Sequence, residues 1–113
     1  MSENKIRTPA LNYIQGGTYY VSVPLQTMRT IASFDLPSGV WFVSNYMTLE
    51  QSGTGVFNNI MDGDTVRATE ANGGGCVNTK IITGPKTVEI QVFHNISPSS
   101  GVRTSWYAFK ISE

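Results

Sequence analysis

The stretch 40–49, Val-Trp-Phe-Val-Ser-Asn-Tyr-Met-Thr-Leu, constrains the fold more than any other part of the chain. It is launched by Pro37-Ser38-Gly39, a turn sequence that breaks a helix. Side chains alternate between the two faces of a strand. One face therefore carries Trp41, Val43, Asn45, Met47 and Leu49, and the other Val40, Phe42, Ser44, Tyr46 and Thr48. Both sets are largely apolar or aromatic. A strand of this kind belongs in the middle of a sheet, with the core on one side and a neighbouring subunit on the other.

The rest of the chain repeats strand and turn. From Thr18 onward, alternating segments are expected at 19–23, 29–36, 40–49, 56–61, 65–69, 76–83, 87–94 and 103–112. Between them stand Pro24, Pro37-Ser38-Gly39, Ser52-Gly53-Thr54-Gly55, Asp62-Gly63-Asp64, Asn72-Gly73-Gly74-Gly75, Gly84-Pro85 and Ser97-Pro98-Ser99-Ser100-Gly101. Asp-Gly suits the positive φ angles of a tight hairpin. The cleanest alternation sets Val88, Ile90 and Val92 against Thr87, Glu89, Gln91 and Phe93, and burying the three aliphatics contributes roughly 1.5–3 kcal/mol each. In the last strand Tyr107, Phe109 and Ile111 are expected to point inward. About eight strands with no helix argue an all-β, antiparallel jelly roll; the Cys-Trp-Cys framework of an immunoglobulin sandwich is missing.

At 113 residues the chain holds one domain with a hydrophobic core. The expected division is an N-terminal arm or connector over 1–17, broken by Pro9 and Gly16-Gly17, and a jelly-roll head over 18–113. Eight acidic and eight basic residues cancel, which excludes the electrostatic footprint of a nucleic-acid binder. A charged fraction of 14% is low against the roughly 25% of soluble domains and suits a surface that pairs with protein or neutral sugar. No apolar run approaches the ~20 residues of a membrane span, and no signal peptide opens the chain, so membrane insertion is not expected. The one cysteine, Cys76, reads as a small residue partly buried in a strand.

Chemistry-bearing patterns are sparse. Asp62 and Asp64 begin a calcium-loop spacing, but the further ligands and the closing Glu are missing, so a hairpin turn is the expectation and no metal is assigned. His94 is the only histidine, and no Gly-x-Ser-x-Gly elbow frames a serine, so neither a catalytic residue nor a cofactor is expected. Sugar binding would need aromatic faces with neighbouring amides. The candidates are Asn45, Tyr46, Asn58, Asn59, Asn72, His94 and Asn95.

The run Val23-Pro24, then 31–36 followed by Pro37-Ser38-Gly39-Val40-Trp41-Phe42-Val43, resembles the opening of small trimeric heads on bacteriophage tail fibres and baseplates. Thr87-Val88-Glu89-Ile90-Gln91-Val92 and Ser105-Trp106-Tyr107-Ala108-Phe109-Lys110-Ile111 resemble the last two strands of the same family. The likeness runs from about Tyr19 to Ser112 and lies in strand and turn pattern. It implies a jelly roll like those of the tumour necrosis factor and complement globular heads, forming a homotrimer at the tip of a stem. It further implies other virion proteins as partners, bacterial surface polysaccharide as a ligand, and a place in the virion after synthesis in the host cytoplasm. A free-standing capsid decoration or head-fibre protein is the alternative. No stem of useful length and no family binding motif are found in this sequence. Phe42, Tyr46, Phe93 and Trp106, mixed with Glu89, Gln91 and Thr48, are the side chains expected at the trimer interface on an outer sheet face.

Overall fold

The computed structural model describes residues 12–24, 26–49, 54–70, 75–95 and 99–113. Its regular structure is entirely β: β1 (Tyr13–Pro24), β2 (Arg29–Leu49), β3 (Thr54–Met61), β4 (Asp64–Glu70), β5 (Gly75–His94) and β6 (Ser99–Ser112). Hydrogen bonds join them in the order β1-β6-β2-β5-β3-β4, every pair antiparallel.

β2 and β5, of 21 and 20 residues, are far longer than an ordinary strand of about 5–6. Each turns a corner halfway. The register between them slips from Leu36 to Gly39, and there Gly39 faces Gly84. Gly39 holds a φ of 121°, which other residues rarely adopt. A Cβ on Gly84 would strike the Pro37 carbonyl oxygen, so the two chains can cross this closely only without a side chain there. Trp41 Nε1 donates to that carbonyl at 3.0 Å and fixes the corner from inside.

The corner folds the β2–β5 ribbon back on itself. Asn59 pairs with Val92 in one arm of β5, while its side chain donates to the Cys76 carbonyl in the other at 3.1 Å. Two sheets result. Sheet 1 runs β1, β6, β2 (40–49), β5 (75–84); sheet 2 runs β2 (29–36), β5 (86–94), β3, β4. This is the jelly-roll arrangement expected from the sequence. The eight expected segments correspond to six elements because two pairs are continuous strands bent at Pro37-Ser38-Gly39 and Gly84-Pro85.

Between the sheets lie Trp41, Val43 and Met47 of β2, Val88, Ile90 and Val92 of β5, and Met61, Val23, Val102 and Ala108, all fully buried. Val88, Ile90 and Val92 thus face inward as their alternation requires. Cys76 is buried too, its Sγ 3.7 Å from the Val66 carbonyl, and burial raises its thiol pKa above the ordinary 9.0. The hairpin at Asp62-Gly63 is a two-residue turn with positive φ at both positions (51° and 85°), closing Met61 onto Asp64.

Two expectations need correction. β1 starts at Tyr13, so 13–17, assigned to the arm, pair with β6 from Tyr13↔Phe109 to Gly17↔Ser105; up to residue 11 the arm lies outside the described residues. In β6 the phase is reversed. Val102, Thr104 and Ala108 are buried, whereas Tyr107, Phe109 and Ile111 are 40–51% exposed. Aromatic bulk suggested the core, but the packing takes the smaller residues inward, because the ring of Trp106 already fills the gap by stacking on Phe34 of sheet 2 (centroids 5.2 Å, 7° between planes).

Candidate functional site: the outer face of sheet 1

The two outer faces differ in character. Sheet 2 shows water Ser33, Asp35, Thr87 and Glu89, with Thr87 Oγ1 donating to Asp35 at 2.6 Å across the strands. Sheet 1 shows water aromatic and aliphatic side chains. Seven of the eight exposed large apolar residues among those described belong to its strands: Tyr13, Tyr46, Val77, Ile81, Tyr107, Phe109 and Ile111. The register sets Tyr13, Phe109, Phe42 and Ile81 in one row across four strands. Phe42 and Phe109 touch at a centroid distance of 5.3 Å, and Tyr107 stacks on Phe109 at 6.2 Å. These side chains thus form one contiguous apolar patch on the outer face.

Further along the same face, away from the corner, the rows mix polar and apolar side chains. The next is Gln15, Tyr107, Ser44 and Thr79, followed by Gly17, Ser105, Tyr46 and Val77. A cavity of about 530 Å³ opens there, lined by Gly17, Thr18, Tyr46, Thr48, Arg103, Thr104 and Ser105. Two glycines shape it. Gly17 leaves its floor bare, and Gly75 lets the Tyr46 ring lie across β5, where any Cβ would collide with the ring. Beside the cavity β1 carries an extra residue between Thr18 and Val21, a bulge of the kind that re-aims side chains. Among the described residues, the hydroxyl of Thr18 is buried there without a hydrogen-bond partner.

The residues singled out as ligand contacts do not come together. Asn45 and Asn59 are buried between the sheets and exchange two hydrogen bonds, 3.0 and 2.8 Å, while Asn78 donates to the Asn59 and Asp64 carbonyls at 2.8 and 2.9 Å. Thr104 adds a bond to the Tyr46 carbonyl at 3.1 Å. This cluster ties β2, β3, β5 and β6 together and has no surface to offer a ligand. His94 is fully buried with Nε2 2.9 Å from the Val23 carbonyl, so its imidazole serves the packing of β5 against β1. Asn58 donates to the Phe93 carbonyl, and Asn95 accepts from the Val56 amide. Those two share a small groove on sheet 2 with Phe93, Arg67 and Val56. Asn72 lies outside the described residues. Of the six that are described, Tyr46 alone lines the sheet 1 cavity.

The expected interface residues divide in the same way. Phe42 and Tyr46 lie on the outer face of sheet 1. Phe93, with Glu89 and Gln91, belongs to sheet 2, because the corner in β5 puts its two arms in opposite layers. Trp106 is turned into the space between the sheets. The sequence pointed to an apolar outer face but missed Ile81, Val77, Tyr107 and Phe109; the signal was the alternation of 76–83 and 103–112, read without the right phase.

At the corner end, Asp62 is the hub of an ionic cluster. Lys80 lies 3.0 Å from Asp62 and 3.1 Å from Asp64, and Lys86 lies 3.0 Å from Asp62. Burial alone would push the Asp62 carboxyl up, but hydrogen bonds and attraction from the two lysines outweigh it and hold the group below its ordinary 3.8. The hydrogen bonds that Lys80 donates to Asp62 and Asp64 raise its pKa above 10.5. The aspartates thus face ammonium groups from both arms of β5. Among the described residues no three His, Cys, Asp or Glu side chains gather as a metal site.

No family model and no curated protein matches the chain. Among solved structures it is similar to a subunit of the disulfide-linked pili formed by Bacillus endospore appendages, at 12% identity and a TM-score of 0.50, over 95% of this chain and 99% of that one. It is also similar to a chain of the acid-stable capsid of Helicobacter pylori bacteriophage KHP30, at 10% identity and a TM-score of 0.47, over 89% and 99%. A chain of the virus-like particle of extra small virus from the giant freshwater prawn Macrobrachium rosenbergii follows at 10% identity and a TM-score of 0.39, over 96% and 86%. At such identities the likeness is one of fold.

Proposed function

We propose that the chain is a non-enzymatic structural subunit of a multi-copy particle, a phage virion, whose copies join through the apolar half of sheet 1. The observation that carries this reading is the asymmetry of the two outer faces. Sheet 2 is finished for water; sheet 1 leaves Phe42, Ile81, Tyr107 and Phe109 in one patch that only protein would cover. A homotrimer, as in the phage heads the sequence resembles, is the assembly proposed.

Disulfide linkage, named for the Bacillus pili, does not suit this chain. Its one cysteine is buried in the core with its thiol pKa raised. Covering of apolar surface is the cohesion available to it.

Native mass measurement is the test, with three copies expected. Phe109→Ser combined with Ile81→Ser should release folded monomers. A wild-type protein that stays monomeric at high micromolar concentration would remove the reading.

A second reading, recognition of the host surface from the tip of the virion, is supported by the cavity at the far end of the same face.

A further inference from the structure

We propose that the outer edge of β1 over 13–17 pairs with the same edge of a second copy, and that the sheet 1 cavity receives the partner's Tyr13 ring. This contact uses an edge rather than the apolar face, does not depend on the assembly proposed above, and gives the cavity a different occupant from the recognition reading. Unpaired strand edges invite further pairing, and proteins blunt them with charge, proline, bulges or cover. Among the described residues, three of the four sheet edges are treated in that way. In sheet 2, β4 carries Asp64, Arg67 and Glu70, and the 29–36 arm of β2 carries Arg29 and Asp35. In sheet 1, the 75–84 arm of β5 is covered by the β3–β4 hairpin. Asn59 donates to the Cys76 carbonyl at 3.1 Å, and the Lys80 amine donates to the Asp62 carbonyl at 3.0 Å. β1 has its bulge and Pro24 only from Thr18 onward. Over 13–17 it reads Tyr-Ile-Gln-Gly-Gly, without charge, proline or bulge, and among the described residues no strand lies beyond it.

Register selects the pairing. Lys110 N donates to the Asn12 carbonyl at 2.9 Å, so the hydrogen-bonded pairs of β1 with β6 fall at Asn12, Ile14 and Gly16. The amides and carbonyls of Tyr13, Gln15 and Gly17 therefore point out of the sheet. In two antiparallel copies, a two-fold axis at Gln15 sets Tyr13 against Gly17 and Gln15 against Gln15, and each of these outward groups finds a partner. The side chains agree with this register. Tyr13 is 54% exposed, and it meets the outward position that has no side chain, beside a cavity of about 530 Å³ lined by Gly17 and Tyr46. An aromatic ring laid across a cross-strand glycine covers its bare backbone. The phenol also brings a hydrogen-bonding group to the lining that holds the Thr18 hydroxyl, unpartnered among the described residues. Five residues a side, against the roughly 20–30 of a stable interface, make the contact weak by itself. Repeated over the copies of a particle it gains by avidity, and it joins sheet 1 of two subunits into one continuous sheet.

Amide hydrogen exchange by NMR on the wild-type protein, run at micromolar and at millimolar concentration, tests the pairing. The Tyr13, Gln15 and Gly17 amides are expected to slow by about tenfold at the higher concentration, while Ile14 and Gly16, already bonded to β6, change far less. Solution mass by light scattering should double over the same range, from three copies to six; if the face contact of sheet 1 fails, it doubles from one to two. Gln15→Lys, at an exposed position, sets like charges face to face on the axis and should abolish both effects without changing the fold or the lower mass. Tyr13→Ala should weaken the doubling about fivefold. The proposal is overturned if the three amides exchange at one rate at every concentration: fast means an edge left open, slow an edge covered by the chain's own residues before Asn12. It is overturned too if Gln15→Lys leaves the doubling intact.

Discussion

Asn59 links more of the sandwich than any apolar residue of β3. Its amide binds Asn45 of β2 and the Cys76 carbonyl of β5, and its own carbonyl receives Asn78. Removing its side chain strands the buried Asn45 amide and the Cys76 carbonyl, so Asn59→Ala should cost roughly 2–4 kcal/mol in urea unfolding. Asn59→Asp, which keeps the shape but removes the donors, should cost at least as much. Gly84 matters for the opposite reason, since what counts there is the side chain it lacks. Gly84→Ala should lower stability by roughly 3 kcal/mol or more, because the Pro37 carbonyl it meets is backbone and cannot step aside. The glycine at this corner was visible in the sequence as a turn signal. The role of Asn59 was not, since an asparagine in a strand shows nothing of partners 14 and 17 residues away.

The β3–β4 hairpin is held against β5 by charge, and its pH response follows. The Asp62 pKa is lowered in the fold, so its contribution is present above the ordinary value of 3.8 and disappears as acid takes the pH down through the folded value. Lys80 is raised, so its contribution is present below 10.5 and is lost as the pH climbs through the folded value. Stability should therefore be level between these limits as far as this cluster is concerned, with a falling shoulder at each end. Asp62→Asn, which tolerates the positive φ of the turn, should cost about 1 kcal/mol at neutral pH and flatten the acid shoulder in a pH series of thermal melts. Turn chemistry made this hairpin, and every strand of the jelly roll, readable in advance. Continuity of the strands was not readable, because Gly-Pro and Pro-Ser-Gly end a strand in some settings and bend it in others. The face of β6 was misread because the assembly patch is as aromatic as the core, and a period of two does not say which phase is inside.

For the molecule as a whole, the asymmetry between its outer faces predicts concentration-dependent behaviour. Dilution should expose the Phe42, Tyr107 and Phe109 cluster, and a solvent-sensitive dye should bind the Phe109→Ser, Ile81→Ser monomer less than a diluted wild type. The cavity was not legible at this scale, because it needs Gly17, Tyr46, Gly75 and Arg103 from four strands, brought together only by the pairing within sheet 1. One further property comes from the pairing of the first strand with the last. Tyr13 lies opposite Phe109, and Lys110 N donates to the Asn12 carbonyl at 2.9 Å, so both ends of the described chain leave from the same edge. Tension applied between them would open β1 from β6 like a zip, one bond at a time, rather than shear the strands together. A subunit built in this way is mechanically weak when tethered by its tips, and a particle that must withstand strain would have to grip it by its flank.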